Sequence, residues 1–233
     1  MTTADHLLCA GAAQGLVKAL AGPLATDCNA HTLGRFGAVG AMKEALLTGE
    51  PCDLMVVTDA MLRALAAEGL LSARTITPLG RVRTGIAVCD GQPRPDISSP
   101  TALAGALLAA DAVYFPDPER ATAGIHFAKV MQQLGVFDAL KPRFKTYPNG
   151  ATAMREMAAD ASPQAMDCTQ VSEILYTPGV RLAGALPARF ELATLYSAAV
   201  SCRASDPALA ARVIALLAGP TAQVVRTAGG FEA

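Results

Sequence analysis

Small residues stand where a helical pattern begins in the stretch GRFGAVGAMKEAL, from Gly34 to Leu46. The segment GAVG has almost no side-chain bulk, and the apolar period of a helix starts directly after it. Small side chains let a ligand approach the unpaired N–H groups of a helix terminus, which bind anions. A tight strand-to-helix turn needs the same glycines. The sequence favours an anion cradle at Ala38 and Val39, with the tight turn as the alternative.

Polar side chains are concentrated in DCTQVSEIL, from Asp167 to Leu175. Thr169 and Gln170 are candidates for polar contacts with a ligand, and Glu173 is a candidate general base. A simpler interpretation of Glu173 is that a carboxylate at a helix start is stabilised by the N–H terminus.

Four further residues are candidates for a site that holds a negatively charged ligand. His126, in AGIHFAKVM, is an alternative proton carrier or a histidine that packs against other helices. Arg81 and Arg83 alternate along a strand pattern, so both point to one face. A guanidinium can bind a carboxylate through two parallel hydrogen bonds. Solvated surface arginines are the simpler interpretation of that pair. Thr58 closes the apolar run CDLMVVTD, where it is typical of a helix cap.

The composition excludes several classes of protein. The 233 residues are 52% hydrophobic and 17% charged with a net charge of −1, and no Lys/Arg cluster occurs, so no nucleic-acid partner is expected. GxGxxG, GxxxxGK[ST] and GxSxG are missing, which removes the usual dinucleotide, P-loop and hydrolase signatures. The cysteines are scattered and read as buried reduced thiols, and the histidines are too dispersed for a metal site. We expect no cofactor and no metal.

The N-terminal stretch MTTADHLLCAGAAQGL lacks the basic and apolar regions of a signal peptide. No run approaches the ~18 apolar residues of a membrane span, so no membrane insertion is expected. As written, the chain is expected to be cytoplasmic. If an export signal has been removed, it is expected to be periplasmic.

Short apolar runs alternate with helical patterns along the chain. In the first part, strands are predicted at His6–Gly11, His31–Gly37 and Cys52–Asp59, and helices at Ala12–Ala25, Ala41–Leu47 and Ala60–Leu71. Successive βα units imply a parallel sheet with right-handed crossovers.

A second α/β series starts at a strand predicted over Arg83–Cys89. Further strands are predicted at Ala112–Pro118, Arg143–Gly150, Gln164–Gln170, Val180–Pro187 and Phe190–Cys202, and helices at Ala102–Ala110, Thr122–Leu134, Ala151–Ala159 and Asp206–Ala218, with a helical turn at Ser172–Leu175. The fold class is therefore α/β and bilobal, with residues 1–83 and 190–233 in lobe one and 84–189 in lobe two. Two crossing strands join the lobes, which close on a ligand by hinge motion. A single doubly wound sheet is the alternative.

The order of CAGAAQGL, FGAVGAMKEALLTGEPCDLMVVTD, DPERATAGIHFAKVMQQLG, DCTQVSEIL and ALPARFELATLYSAAV resembles type II periplasmic-binding-protein-like domains, nearest to the molybdate-binding branch. The resemblance covers nearly the whole chain and implies an anion held in the cleft between the lobes. It also places Thr58 beside the cleft. The ligand loops that it implies contain Gly11 and Ala12, Ala38 and Val39, Thr122 and Ala123, and Thr169 and Gln170 with the following Ser172 and Glu173.

The chain departs from that branch in its first two loops, AGAAQ and GAVG, which have no serine or threonine to offer an oxyanion. Losing two side-chain hydrogen bonds, at ~1 kcal/mol each, lowers affinity about tenfold or more. A small organic acid suits the remaining residues, including Arg83, better than molybdate.

The chain also resembles an aconitate-isomerase-like branch of the same fold. That reaction moves a proton through an allylic carbanion, for which Glu173 would be the base and His126 the alternative. The leading prediction is reversible binding of a small anion, either an organic carboxylate or an oxyanion. The alternative is a cofactor-independent cis/trans carboxylic-acid isomerase. A transporter permease is an expected partner only if an export signal has been removed.

Overall fold

The structure, a computed structural model, describes residues 3–160, 162 and 164–233. The chain forms two compact units, a first unit of Met1–Val82 with Thr194–Ala233 and a second unit of Arg83–Ala193. It leaves the first unit within one strand, Thr77–Cys89, and returns to it at the start of another, Ala193–Val200.

Strands and helices alternate in both units. The first unit begins with β1 (Thr3–Ala10), α1 (Gly11–Ala19), α2 (Ala21–Asp27), β2 (Ala30–Gly37), α3 (Val39–Leu47), β3 (Leu54–Thr58) and α4 (Asp59–Ala67). The strand β4 (Thr77–Cys89) leads into the second unit, which contains α5 (Pro100–Ala109), β5 (Ala112–Pro116), α6 (Thr122–Gln133), α7 (Phe137–Leu140), β6 (Phe144–Tyr147), α8 (Gly150–Ala159), β7 (Ala165–Gln170), α9 (Val171–Leu175) and β8 (Val180–Ala185). The strand β9 (Ala193–Val200) leads back to the first unit, which ends with α10 (Pro207–Ala218) and α11 (Gln223–Ala228).

The sheet of the first unit has the order β2-β1-β3-β9. The strand β1 is parallel to β2 and β3, as the βα pattern predicts, and β9 is antiparallel to β3. Buried leucine, valine, methionine and alanine side chains fill both faces of these strands. Because β1, β2 and β3 are parallel, the helices α1, α3 and α4 that follow them all begin at one edge of the sheet.

One long helix was predicted over Ala12–Ala25, and this is wrong, because the structure has α1 and α2 separated at Leu20. Pro23 explains the break. Proline has no N–H to donate to the carbonyl four residues earlier, and its ring clashes with that carbonyl. The carbonyl in question belongs to Ala19, where α1 ends.

The second unit has β5 parallel to β6 and β7, while β4 is antiparallel to both β7 and β8. One core cluster contains Phe115, Phe127 and Met166, and another contains Tyr114, Met154 and Ile174. The helix α6 packs on β5 and β7 next to the first cluster, and α8 packs on the same two strands next to the second.

Some elements differ from the prediction in extent. The strand β4 begins at Thr77 rather than Arg83, because residues before Arg83 still form main-chain contacts, including the bridge between Arg81 and Glu232. The short helices α7 and α11 were not predicted. Within the described residues, no single helix is long and apolar enough to cross a membrane, although the bent pair Pro207–Ala218 and Pro220–Ala228 passes that test when its members are taken together.

Candidate functional site

The helices α1 and α3 begin without a side-chain cap. Their N-cap residues are Ala10 and Ala38, both in extended conformation, and alanine has no oxygen that accepts from the first N–H groups. Ala10 is paired in register with Gly37, so the two helices start on neighbouring strands ~5 Å apart. Gly11, Ala12, Ala38 and Val39, all predicted ligand residues, therefore lie together at one edge of the first unit.

The start of α4 lies at the same edge but is filled by the protein's own groups. The Thr58 hydroxyl oxygen accepts from the Met61 N–H at 3.4 Å. In the first turn, Asp59 accepts from Arg63 Nε at 2.6 Å and from Ser197 Oγ at 2.9 Å. Burial raises the pKa of Asp59, but the bonds from Arg63 and Ser197 outweigh it and lower the pKa. Thr58 is thus a helix cap, as its sequence pattern predicts.

The helix α6 also begins without a cap, because its N-cap residue is Ala121. Thr122 and Ala123 are its first two residues, and Gly124 lets this turn approach the end of β5. A methyl group at Gly124 would lie 2.2 Å from the Pro116 carbonyl oxygen and 2.3 Å from that of Asp117, closer than such atoms come. Glycine is required here by the close packing of the helix on the strand end.

His126, one turn into α6, is bonded to the protein's own backbone. Its Nε2 lies 2.7 Å from the Phe190 carbonyl oxygen, which can only accept, so Nε2 carries the proton. The bond joins α6 to the turn Ala188–Phe190. The bond holds the imidazole against the protein's own backbone.

Glu173 joins the starts of two helices. Its carboxylate accepts from the Ala151 N–H at 3.3 Å, in the first turn of α8, and from the Gln170 N–H at the start of α9. The Thr169 hydroxyl also donates to it. Glu173 is only 7% exposed, and burial raises its pKa although these three hydrogen bonds act in the opposite direction. The bond to Gln170 is the return half of a capping box.

The first residue of α8 must be glycine for this arrangement to form. A methyl group at Gly150 would lie 1.9 Å from Thr169 Oγ1 and 2.1 Å from Glu173 Oε2. The side chain of Asn149 accepts from the Thr152 N–H at 2.9 Å and completes the cap. The start of α8 is therefore fully occupied by the protein's own acceptors.

Buried polar atoms without partners surround the start of α9. Gln170, its N-cap residue, is 2% exposed, and neither its Oε1 nor its Nε2 has a hydrogen-bond partner among the described residues. The same is true of Ser172 Oγ and Thr84 Oγ1. Thr84 is the register partner of Gln170 across β4 and β7, so their side chains lie on one face. Buried polar atoms of this kind are uncommon and call for a partner.

Asp167, two residues before Thr169 on the same face of β7, is fully buried, and neither carboxyl oxygen has a partner in the described part of the chain. Burial raises the pKa of Asp167 well above its ordinary value, and the charge of Glu173 raises it further. Both effects disfavour the ionised carboxylate relative to the neutral acid.

Arg83 forms an ion pair with Glu191, with Nη1 2.8 Å from Oε2. Both side chains are nearly two-fifths exposed, so the pair contributes little to stability.

The helices α5 and α10 carry side-chain caps. Ser99 caps α5 through the Ala102 N–H, and Asp206 caps α10 through the Leu209 N–H. Together with α4 and α8, these helices contrast with α1, α3, α6 and α9, whose N-cap side chains form no such bond. The helices α2, α7 and α11 also lack a cap, but each follows closely on another helix.

Sequence reasoning did not single out Thr84 or Asp167. Asp167 opens the polar stretch DCTQVSEIL, and Thr84 directly precedes the apolar run GIAVC. Among the described residues, no group of three or more His, Cys, Asp or Glu side chains is arranged to hold a metal ion.

Comparison with solved structures defines the class of fold. The periplasmic molybdate-binding protein of Azotobacter vinelandii aligns with a TM-score of 0.81 and 16% identity over 98% of this chain and 99% of that one. PEB3 with bound L-phospholactate aligns with a TM-score of 0.70 and 15% identity over 98% and 99%. The chain has the bilobal α/β fold of type II periplasmic binding proteins.

The model of the bacterial extracellular solute-binding protein family matches residues 6–232, and the chain belongs to this family. A relative with an assigned activity is aconitate isomerase from Pseudomonas sp, which is 27% identical over 186 residues, 78% of this chain and 68% of that protein.

Proposed function

We propose that this chain binds a small anion, an organic carboxylate or an oxyanion, at uncapped helix starts, those of α1 and α3 in the first unit and that of α6 in the second. The observation that carries the proposal is the distribution of caps. The starts of α1, α3 and α6 lack side-chain caps, whereas α4, α5, α8 and α10 have them. The helix α4 is the exception among the starts that the sequence placed beside the cleft, because Thr58 caps it.

The physical basis is the partial positive charge of a helix N-terminus, where unpaired N–H groups point outward. One such terminus stabilises an anion by ~0.3–1 kcal/mol at an exposed surface, and by more where the anion is partly buried. We propose Gly11, Ala12, Ala38 and Val39 as main-chain donors in the first unit.

In the second unit we propose that Thr122 and Ala123 supply main-chain donors and that Gln170 contacts the ligand through its side chain. Thr58, Thr169 and His126 act as positioning residues, since each already bonds to the protein itself. Arg83 is proposed as a secondary contact, because its exposed pair with Glu191 can be exchanged for a ligand carboxylate at little cost.

The relatives support this function. The two solved structures are named for molybdate binding and for bound L-phospholactate, both anionic, and the family is described as extracellular. We therefore propose that the chain acts after export, in the periplasm, and delivers its ligand to a transporter permease.

An isomerase function has one observation in its favour, the similarity to aconitate isomerase. We favour binding over catalysis because both oxygens of Glu173, the proposed base, accept hydrogen bonds from the protein. If the chain is an isomerase that uses Glu173, Glu173→Gln will abolish interconversion of cis- and trans-aconitate, followed by proton NMR, and leave aconitate binding measurable. Absence of turnover in the unaltered chain eliminates this alternative.

The binding proposal is tested by thermal unfolding with molybdate, tungstate, sulfate, citrate and the aconitates. A ligand that prefers the folded state raises the melting temperature, by an amount that grows with its concentration relative to Kd. We expect selective stabilisation by at least one anion at constant ionic strength, with chloride as the control. An unchanged melting temperature across the panel contradicts the proposal.

A further inference from the structure

The side-chain amide of Gln170 contains an acceptor as well as a donor, whereas the main-chain N–H groups contain only donors. The residue is 2% exposed at the start of α9, and both its Oε1 and its Nε2 are buried without partners among the described residues. A buried amide that remains unsatisfied is costly, so a bound ligand is expected to satisfy both atoms.

Each neighbouring polar group can serve an anion as a donor. Main-chain N–H groups only donate, and the hydroxyls of Thr84 and Ser172 can rotate to donate. Both hydroxyl oxygens lack partners in the described part of the chain, so neither of them donates to Gln170. An anion that offers only acceptor oxygens therefore satisfies every group of this set except Gln170 Oε1, which can only accept.

We propose that the ligand is an anion that carries its own O–H donor, most simply a small hydroxycarboxylic acid, and that Gln170 selects for this hydroxyl. The inference rests on the proposed anion-binding function and names the class of anion. A protonated oxyanion such as hydrogen phosphate offers the same donor chemistry, whereas sulfate and molybdate at neutral pH offer acceptors only.

Matched ligand pairs test the proposal on the whole chain by isothermal titration calorimetry. Citrate and tricarballylate share three carboxylates and differ by one hydroxyl, and malate and succinate differ in the same way. Hydrogen phosphate and sulfate form the inorganic pair. We expect the hydroxyl-bearing member of at least one pair to bind about tenfold more tightly or better, since a site that pairs with a ligand hydroxyl discriminates against its absence. The pair that shows the preference distinguishes the organic source from the inorganic one.

Two variants assign the preference to Gln170. Gln170→Met keeps the length of the side chain and removes both polar atoms, so the preference within the pair should disappear. Ser172→Ala removes a hydroxyl that serves as a donor, so it should weaken both members alike and leave their ratio unchanged. Circular dichroism checks that each variant is folded, and the comparison in the unaltered chain depends on neither.

The outcomes separate this inference from the function on which it rests. Equal affinities within every pair, or a preference that survives Gln170→Met, overturn the inference and leave anion binding in place. If no anion in any pair binds, the inference fails, and the proposed function fails with it only when molybdate, tungstate and the aconitates also leave the melting temperature unchanged.

Discussion

The starts of α1 and α4 lie on neighbouring parallel strands, β1 and β3, and differ almost only in their side chains. The N-cap residue Ala10 has φ −60° and ψ 144°, and Thr58 has φ −62° and ψ 142°. At α4 the protein supplies a hydroxyl cap and the carboxylate of Asp59, whereas at α1 it supplies Ala-Gly-Ala. The backbone is equally prepared to hold an acceptor at both places, but only α4 has its own.

The same contrast occurs in the second unit. The start of α8 holds Asn149 and Glu173, and that of α6 has Ala121 and no side-chain acceptor of its own. A missing N-cap side chain costs ~1 kcal/mol of stability. The proposed anion binding accounts for this cost at α1, α3 and α6.

The largest expected effect comes from adding a methyl group between α6 and the end of β5. Gly124→Ala puts a methyl group against two carbonyl oxygens that cannot move independently, so we expect the chain to lose about 3 kcal/mol of stability or not to fold. Urea unfolding measures the change. The matched control is Gly105→Ala in α5, where nothing lies within 4 Å and stability should rise by about 0.5–1 kcal/mol. Equal effects of the two substitutions would show that α6 does not need its close approach.

Adding a side-chain cap to an uncapped helix start tests directly whether the missing cap is needed for anion binding. In Ala38→Asp, the new carboxylate accepts from the first N–H groups of α3, so stability should rise by about 1 kcal/mol. Anion affinity should fall about 100-fold, because the site now contains its own negative charge.

Thr101→Asp is the matched control for Ala38→Asp, since it adds the same charge to the first turn of α5, which Ser99 already caps. Calorimetry should find its anion affinity unchanged. If Ala38→Asp binds anions as tightly as the unaltered chain, α3 does not contribute to the site.

The two buried carboxyl groups Asp167 and Glu173 differ in their partners. Glu173 accepts hydrogen bonds from N–H groups at the starts of α8 and α9, whereas Asp167 has no hydrogen-bond partner among the described residues. Burial raises the pKa of Asp167, so above pH ~4 the folded chain holds a proton that the unfolded chain has released. Its contribution to stability is complete below that pH and is lost as pH rises toward the folded pKa, by at most about 1.4 kcal/mol per pH unit.

Asp167→Asn should remove this part of the pH dependence, so the variant gains stability relative to the unaltered chain as pH rises. Urea unfolding from pH 5 to pH 8 measures it, with the exposed Asp111→Asn as control. Parallel stability curves for Asp167→Asn and the unaltered chain would mean that Asp167 is not held neutral.

The smallest effect is expected at a capped start. Ser99→Ala removes the acceptor for the Ala102 N–H and should cost ~1 kcal/mol of stability without altering anion affinity. A loss of affinity in this variant would mean that caps affect binding indirectly, and the distinction between the two groups of helix starts would not hold.

The α/β alternation and most helices were predictable because apolar periodicity reports which face of each element is buried. The break at Leu20 was missed because the helical period continues through Gly22-Pro23, and the proline was not weighed against it. The cap at Thr58 was predictable from local sequence, since a cap bonds to a residue three positions away.

Contacts between distant parts of the chain were not predictable in this way. Glu173 was read as either a cap or a base, but its bond to Ala151 depends on how α8 packs beside α9. His126 and Phe190 are 64 residues apart, and no local sequence pattern predicts the hydrogen bond between them. The pairing of Thr84 with Gln170 depends on the register of β4 with β7, which one sequence does not reveal.

The central claim is most directly tested by a two-dimensional amide NMR titration of the whole chain with whichever anion most raises its melting temperature. We predict that the amide signals of the first turns of α1, α3 and α6 shift as the anion is added, and that those of α4, α5, α8 and α10 stay in place. Shifts at the capped starts, or shifts that avoid the uncapped ones, would contradict the account.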